Sequence, residues 1–473
     1  MSTTTERTTW ELVVGLEVHV ELATATKIFC GCRNQFGDEP NTNICPVCLG
    51  LPGSLPVLNE QAVELAMRIG MSLNCTVKPS IFHRKNYFYP DMPKDYQVSQ
   101  YDLPINADGF LELPDGTRIG VERAHLEEDT GKSTHVGGGG RIHDAGYSLV
   151  DYNRAGVPLV EIVSRPDIHS AEHARAYVNE LRAILVAIGA SDAKMEEGSM
   201  RVDANVSVNK PGDPWGLRCE IKNLNSTRSL GRAIEYEMRR QIDLLESGER
   251  VVQETRHWNE DDGRTHTLRS KEEAFDYRYF PEPDLVPVAP DDAWQVRVRD
   301  ALPVLPAARR ARLAEACGVA PTDAGVVVER ELDGLVLDAI AAGGVPGRLL
   351  VHADNNLADG AGQLTAAAFA VLSTLESEGA LTATQAKTVL HELVANGGDP
   401  AAIAAARGFE AMDDSALAAI VDELIAANPE PFQRFKEGDQ KVTGFFVGQV
   451  MKATQGKADG KAVTRLLQAR AQG

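Results

Sequence analysis

Gly15-Leu16-Glu17-Val18-His19-Val20-Glu21-Leu22 alternates apolar and polar residues without a break. Period two is the spacing of a β-strand, so Leu16, Val18, Val20 and Leu22 share one face and Glu17, His19 and Glu21 the other. Three ionisable side chains in a row are costly to bury unless a cation or solvent compensates them. The stretch predicts a strand whose second face is either wet or part of a charged site. The same alternation recurs in Met200-Arg201-Val202-Asp203-Ala204-Asn205-Val206-Ser207-Val208 and in Gly216-Leu217-Arg218-Cys219-Glu220-Ile221-Lys222. Arg201, Asp203, Asn205, Ser207 and Asn209 line one polar face, and Arg218, Glu220 and Lys222 another. His125, Glu127, Glu128 and Asp129 end a third such strand. One apolar and one polar face per strand is the mark of antiparallel sheets. Glu161 stands alone in the apolar run Pro158-Leu159-Val160-Glu161-Ile162-Val163, and a lone carboxylate there is paired with a cation or ligates a metal. A face with carboxylates, a His and basic residues suits Mg²⁺ and phosphate: hard oxygens hold the metal, and Lys and Arg take phosphate oxygens.

The chain has 473 residues, 48 basic and 68 acidic, a net charge of −20, with 43% hydrophobic and 25% charged residues. That describes an ordinary globular protein of several domains. No stretch approaches the ~18 consecutive apolar residues of a membrane helix. Met1-Ser2-Thr3-Thr4-Thr5-Glu6-Arg7 lacks the apolar core of a secretory signal, so a cytoplasmic location is expected. The acidic balance disfavours nucleic-acid binding over the whole surface but not at one basic patch. Helical patterns occupy Asn59–Leu73, Ser170–Ile188 and Ser229–Glu246, the last two opening on Ser as N-cap. Pro281, Pro283, Pro287, Pro290, Pro303 and Pro306 then mark a boundary, followed by Ala- and Leu-rich helical patterns; Asn396-Gly397-Gly398-Asp399-Pro400 is a second break. The expected organisation is an α+β cradle domain over 1–293 with a zinc-ribbon-like insertion at 30–48, a helical domain over 294–398, and a small helical tail domain over 399–473.

Cys30, Cys32, Cys45 and Cys48 form the pattern C-x-C-x12-C-x2-C, while Cys75, Cys219 and Cys317 are scattered as small core residues would be. In a reducing compartment two close pairs across a short loop point to a tetrahedral structural zinc site. Cys45-Pro46-Val47-Cys48 alone would also fit a redox pair; the additional Cys30/Cys32 pair favours metal. Gly131-Lys132-Ser133 imitates the end of a P-loop, yet Leu126 stands where its first glycine belongs and Glu127, Glu128 and Asp129 would repel phosphate. The run from His83 to Tyr96, rich in aromatics and Lys, is a stacking surface for bases or a packed turn. With neither a G-x-S-x-G elbow nor a Ser-rich amidase signature, the chain shows no hydrolytic nucleophile. Its last stretch carries Lys441, Lys452, Lys457, Lys461, Arg465 and Arg470 against Asp459 alone. That is a local anion-binding footprint, for nucleic acid or, on the plainer reading, a solvated charged helix.

Together these segments resemble the B subunits of the bacterial aspartyl/glutamyl-tRNA(Asn/Gln) amidotransferases. The likeness spans nearly the whole chain. It rests on Val14–Leu22, Phe29-Cys30-Gly31-Cys32, Cys45-Pro46-Val47-Cys48-Leu49-Gly50-Leu51-Pro52-Gly53, and Arg84-Lys85-Asn86-Tyr87-Phe88-Tyr89-Pro90-Asp91. It continues through His125-Leu126-Glu127-Glu128-Asp129, Asp151-Tyr152-Asn153-Arg154-Ala155-Gly156, Met195-Glu196-Glu197-Gly198-Ser199, Asp276–Leu285 and Lys441–Met451. His83 departs from it where an acidic residue is expected. The resemblance implies a cradle like the catalytic domain of glutamine synthetase, followed by helical and tail domains. It also implies a ligase that uses ATP and Mg²⁺ to phosphorylate the side-chain carboxylate of misacylated tRNA and then amidates it with ammonia. The implied partners are an amidase-type glutaminase, which supplies the ammonia, together with a small third polypeptide that completes a heterotrimer. By motif, Glu17, His19, Glu128 and Glu161 are the metal and ATP-site set, with Glu127 and Glu128 interchangeable should a bulge swap their faces. Asp203, Asn205 and Lys222 are implied for substrate or nucleotide contact, and Lys85 and Lys94 along the ammonia passage. The rival reading is a non-catalytic, zinc-stabilised scaffold that binds tRNA.

Overall fold

The computed structural model describes residues 10–137, 145–270, 277–409, 414–437, 439, 441–454, 458 and 460–472. Met1–Arg7, Asp276, Lys457 and Asp459, quoted above, lie outside them. Residues through Pro306 form one compact unit and those from Ala307 a second. The first carries β1 (Glu11–Glu21), α1 (Glu60–Ser72), β2 (Thr76–Val77), β3 (His83–Asn86), β4 (Tyr96–Ser99), β5 (Asn106–Glu112), β6 (Arg118–Glu128), β7 (Lys132–Val136), β8 (Tyr147–Asp151) and β9 (Pro158–Ser164). Then come α2 (Ala171–Ala187), β10 (Met200–Asn209), β11 (Cys219–Lys222), α3 (Thr227–Glu246), β12 (Glu254–Asn259), β13 (Arg264–Ser270), β14 (Phe280–Pro281) and α4 (Asp292–Asp300).

Twelve strands build one sheet in the order β13-β12-β11-β10-β1-β9-β6-β4-β3-β14, with β5 beside β6 and β2 beside β5. β7 and β8 form a separate hairpin. The sheet is mixed rather than wholly antiparallel as expected, because β11 and β12 run parallel. The helix α3 joins them, and a parallel neighbour requires such a crossover. β1 lies in the middle of the sheet. Its Val14, Leu16, Val18 and Val20 are fully buried in a core shared with α1, α2 and α3, each contributing about 1.5–3 kcal/mol. α1 packs on β5 and β6, and α3 on β10 and α2, so strand alternation leaves Glu17, His19 and Glu21 on the opposite side.

Short polar residues set the helix starts. Asn59 caps α1 by accepting from the Gln61 N–H, and Ser170 caps α2 by accepting from the His173 N–H. α3 begins earlier than its sequence pattern suggests. Ser226 is its N-cap and accepts from the Ser229 N–H at 3.0 Å, while the Ser229 hydroxyl donates to Glu260. Two serines three apart both suit the role, and the first takes it.

The second unit holds α5 (Pro306–Cys317), α6 (Gly325–Glu329), α7 (Asp333–Ala341), α8 (Pro346–Asn356), α9 (Ala366–Ser377), α10 (Ala383–Asn396) and α11 (Pro400–Ala406). It ends with α12 (Asp414–Ala427), α13 (Pro429–Lys436), α14 (Lys441–Ala453) and α15 (Gly460–Gln472). Two cores form here. One runs from Leu313 to Ala404; the other gathers Leu417, Val421, Phe446, Val450, Val463 and Leu467. The break at Gly397-Gly398-Asp399-Pro400 ends α10 and lets Asp399 cap α11. α11 nevertheless packs on α9 and α10 through Ile403 and Ala404, so the change of core falls after that helix. Among the described residues no helix is long and apolar enough to cross a membrane.

Candidate active site

Register brings distant residues together. His19 of β1 lies opposite Glu161 of β9 on one side and Arg201 of β10 on the other. On the far side of β9, Glu161 lies opposite His125 of β6 and Leu159 opposite Glu127. Directly opposed residues share a face, so His19, His125, Glu127 and Glu161 converge. Glu161 Oε2 is 3.7 Å from His19 Nε2 and 3.5 Å from His125 Nε2, and Glu127 Oε2 is 3.9 Å from His125 Nε2. These separations exceed hydrogen-bond length. Ligand atoms of His125, Glu127 and Glu161 all lie within 4.8 Å of one another, and the buried His125 Nδ1 has no hydrogen-bond partner. Two carboxylates and an imidazole gathered without bonding one another fit a divalent cation, to which the carboxylates offer hard oxygens. Burial raises the Glu161 carboxyl, but His125 and His19 outweigh it and hold it below the ordinary range. Glu127 is likewise lowered against burial by Lys85 and His125. Lys85 Nζ stands 3.9 Å from Glu127 Oε1, and that charge keeps the ammonium above its ordinary range despite burial.

Glu128 faces the other way. β6 shifts register between Val121 and Arg123 and then pairs continuously with β9 to its end. The irregularity therefore precedes His125, which shares its face with Glu127. Glu128 reaches the margin of the apolar side, where both its oxygens accept from Lys94 Nζ, one at 2.7 Å, and one accepts from the Val98 N–H at 2.8 Å. Burial pushes its pKa up in spite of Lys94. Of the four residues carried over by motif, Glu17, His19 and Glu161 lie on the polar face, with Glu127 rather than Glu128 beside them.

Two further rows flank this cluster. Asn205 Nδ2 donates to Glu17 Oε1 at 2.8 Å, Glu17 lies opposite Asp203, and Lys222 Nζ reaches Asp203 Oδ2 at 2.6 Å and Glu220 Oε1 at 3.3 Å. These acids hold the Lys222 ammonium above its ordinary range against burial. A cleft of about 480 Å³ opens beside Glu17 and Asn205, lined also by Ser207, Trp215 and Arg218. On the other flank Arg201 Nη2 contacts Asp129 Oδ2 at 2.6 Å, with Arg154 Nε at 3.6 Å. Glu21 beside them is pushed up to about 8, by burial and then by the Asp129 charge and hydrogen bond.

The four clustered cysteines also meet. Their Sγ atoms all lie within 4.8 Å of one another, and the Cys45 N–H points at Cys48 Sγ at 3.1 Å. Four thiols in this grouping fit a tetrahedral zinc. A hydrogen bond from Cys30, helped by the Cys45 N–H and by Lys27, lowers the Cys48 thiol against burial.

The GatB/GatE catalytic domain matches residues 12–296, and the GatB domain matches residues 351–470. The chain belongs to the GatB family. It is 51% identical over 477 residues to a protein of Salinispora arenicola, covering 97% of this chain and 96% of that one. A protein of Moorella thermoacetica is 49% identical over 478 residues, covering 98% and 99%. Both are named as the B subunit of an aspartyl/glutamyl-tRNA(Asn/Gln) amidotransferase. Where the GatB likeness leads one to expect an acid, His83 is buried with Nε2 3.0 Å from Asp102 Oδ1.

Within the matched GatB domain the basic tail is less free than its composition suggests. Lys452 and Arg465 are exposed. Arg470, however, is held by Asp422 through two bonds of 2.7 and 2.9 Å. Of Lys441 and Lys461 only the helical backbone is described, on α14 and α15. Sequence pattern alone gives His125, Arg201 and Glu21 no individual roles. Each was visible as a polar residue on an alternating strand, but only the register shows what it faces.

Proposed function

We propose that this GatB-family chain is the synthetic subunit of a tRNA-dependent amidotransferase. It would convert glutamyl-tRNA(Gln), aspartyl-tRNA(Asn) or both into the amide forms. Oxide is a poor leaving group from a carboxylate, so the acid is first phosphorylated by ATP. Ammonia then attacks the acyl phosphate, the C–N bond forms, phosphate departs, and the nitrogen loses a proton. The observation that carries this reading is the convergence of His19, His125, Glu127 and Glu161 on one polar sheet face. Glu127, Glu161 and His125 would hold Mg²⁺, with His19 beside them; the ion when bound neutralises charge on the transferring phosphoryl group. Glu17, Asn205, Asp203 and Lys222 would position nucleotide or substrate, for which the adjacent cleft has room. Lys85 and Lys94 would line the route of ammonia, with Glu128 paired to Lys94 along it rather than serving the metal.

Ammonia would come from a glutaminase of the amidase type, and a small third polypeptide would complete the complex. This supports a location in the cytoplasm, where charged tRNA is used. The cysteine cluster would hold structural zinc, and α14 with α15 would grip tRNA. A helix-backed sheet with one polar face is consistent with a cradle of the glutamine synthetase kind. The domain division that suits the packing moves the first boundary from residue 293 to Pro306, since Val298 and Leu302 join the first core, and leaves α11 with the middle helices. A scaffold that only binds tRNA would have no use for convergent carboxylates and imidazoles. In the assembled complex, Glu17→Gln and His19→Ala should abolish ATP-dependent amide formation on misacylated tRNA while tRNA binding persists. Normal turnover of both variants at saturating Mg²⁺ would favour the scaffold.

A further inference from the structure

Lys27 is a lysine with no exposed surface. Its Nζ donates to the Tyr152 carbonyl at 3.2 Å, its one side-chain hydrogen bond among the described residues. Its backbone N–H donates to the Cys32 carbonyl at 2.9 Å, which ties it to the first cysteine knuckle. A small cavity of about 70 Å³ is lined by Lys27, Cys30, Cys48, Lys94 and Glu128 among others. Gly156, at φ +83°, sits where these groups close in. A Cβ there would meet Cys48 Cβ at 3.7 Å, Lys27 Cδ at 3.7 Å and Glu128 Oε2 at 3.9 Å.

A buried ammonium needs a counter-charge. Glu128, Glu282 and Asp284 are the carboxylates lining this cavity; Lys94 already occupies both oxygens of Glu128, and Arg84 holds Glu282 and Asp284. Each of these acids is thus taken by another cation, and Lys27 hydrogen-bonds none of them among the described residues. The remaining anions are the thiolates. Zinc bound by four of them carries a net double negative charge, which protein cations commonly offset from the outer shell.

We propose that Lys27 is the counter-ion of the metal-loaded cysteine cluster. This rests on the zinc reading above. The consequence has opposite signs in the two forms of the protein. With metal bound, Lys27→Met removes a compensating charge and loosens zinc. With metal stripped, the same change removes a buried cation whose one hydrogen bond goes to a neutral carbonyl, so it costs little or stabilises.

The test uses the full chain. Zinc content is measured first, then affinity by competition with a chromophoric chelator, and Co²⁺ spectra check that four thiolates still bind. Melting temperatures are taken with and without chelator. We expect Lys27→Met to weaken zinc by about 10–100-fold, as loss of an outer-shell partner does, and to lose less melting temperature on stripping than wild type. Zinc affinity and stripping loss both equal to wild type would overturn the proposal. A wild-type chain that takes up neither Zn²⁺ nor Co²⁺ would instead sink the zinc reading, and this inference with it. Should Lys27→Met fail to fold, Lys27→Arg decides: retained affinity supports a charge role, whereas a loss of about ten-fold or more would assign the effect to the shape of the buried stem and overturn it.

Discussion

Glu161→Gln is the most direct perturbation of the polar face, because it keeps the size of the side chain and deletes its charge. We take the 4.8 Å that spans the ligand atoms of His125, Glu127 and Glu161 as the outer limit of the distance from Glu161 to the proposed cation. At an effective dielectric of about 20, each unit of the ion's charge at that distance is worth roughly 3.5 kcal/mol to the Glu161 carboxylate. Water and the remaining acids reduce this. Deleting one preorganised charge-stabilising group in an active site costs about 100–1,000-fold in rate, roughly 2.7–4 kcal/mol. The expectation for Glu161→Gln is therefore a fall of that size in ATP-dependent amide formation. The assay is conversion of misacylated tRNA by the full complex, with an ammonium salt replacing glutamine so that the glutaminase step is bypassed. Glutamine hydrolysis should survive, and the urea midpoint reports on folding separately. A variant that folds, binds tRNA and turns over at the wild-type rate across a Mg²⁺ titration would refute the reasoning.

Glu127→Gln should match Glu161→Gln in its demand for Mg²⁺. Glu128→Gln should leave that demand alone and depress the glutamine-fed reaction more than the ammonium-fed one; identical Mg²⁺ profiles for both variants would count against the assignment of faces. Because the folded pKa of Glu21 is raised to about 8, its contribution is fully present below the ordinary carboxyl range near 4.5 and is lost as pH rises through 8. Urea midpoints measured from about pH 4 to 9 should therefore fall less in Glu21→Gln than in wild type, and parallel curves would dismiss the effect. Deletion of Lys441–Gly473 should raise KM for charged tRNA and flatten its salt dependence. Arg470→Ala should do less than Lys452→Ala or Arg465→Ala, since Arg470 is held by Asp422; an unaltered salt slope in the deletion would leave the tail a solvated surface.

Much of the sheet was legible because its strands alternate. β1 and β10 are readable from period two alone, and so are the residues on their polar faces. α2 announced itself through Ser170. What could not be read was relational. The face taken by Glu127 depends on where β6 shifts register, and no local pattern fixes that. The parallel pairing of β11 with β12 depends on how α3 crosses over. The pairing of Arg201 with Asp129 joins residues 72 apart in sequence. The cysteine spacing predicted the grouping of four thiols, but nothing nearby in sequence marks Lys27 as facing them. The break before Pro400 looked like a domain boundary because glycine and proline end helices, whereas membership of a core is decided by packing.

The central position of β1 also has a temporal consequence. Among the described strands of the sheet it is made before its neighbours, and both of its edges wait for partners. Leu16 bonds to Ser164, 148 residues on, and Glu17 to Asn205, 188 residues on. At ~5–20 residues per second, the second partner emerges from the ribosome roughly 10–40 s after that strand. Throughout that interval an apolar, alternating segment with two unpaired edges is exposed to whatever is nearby. Its charged flank of Glu17, His19 and Glu21 then serves a newborn chain as well as a finished protein: it keeps one side of the waiting strand in water until the sheet can close around it.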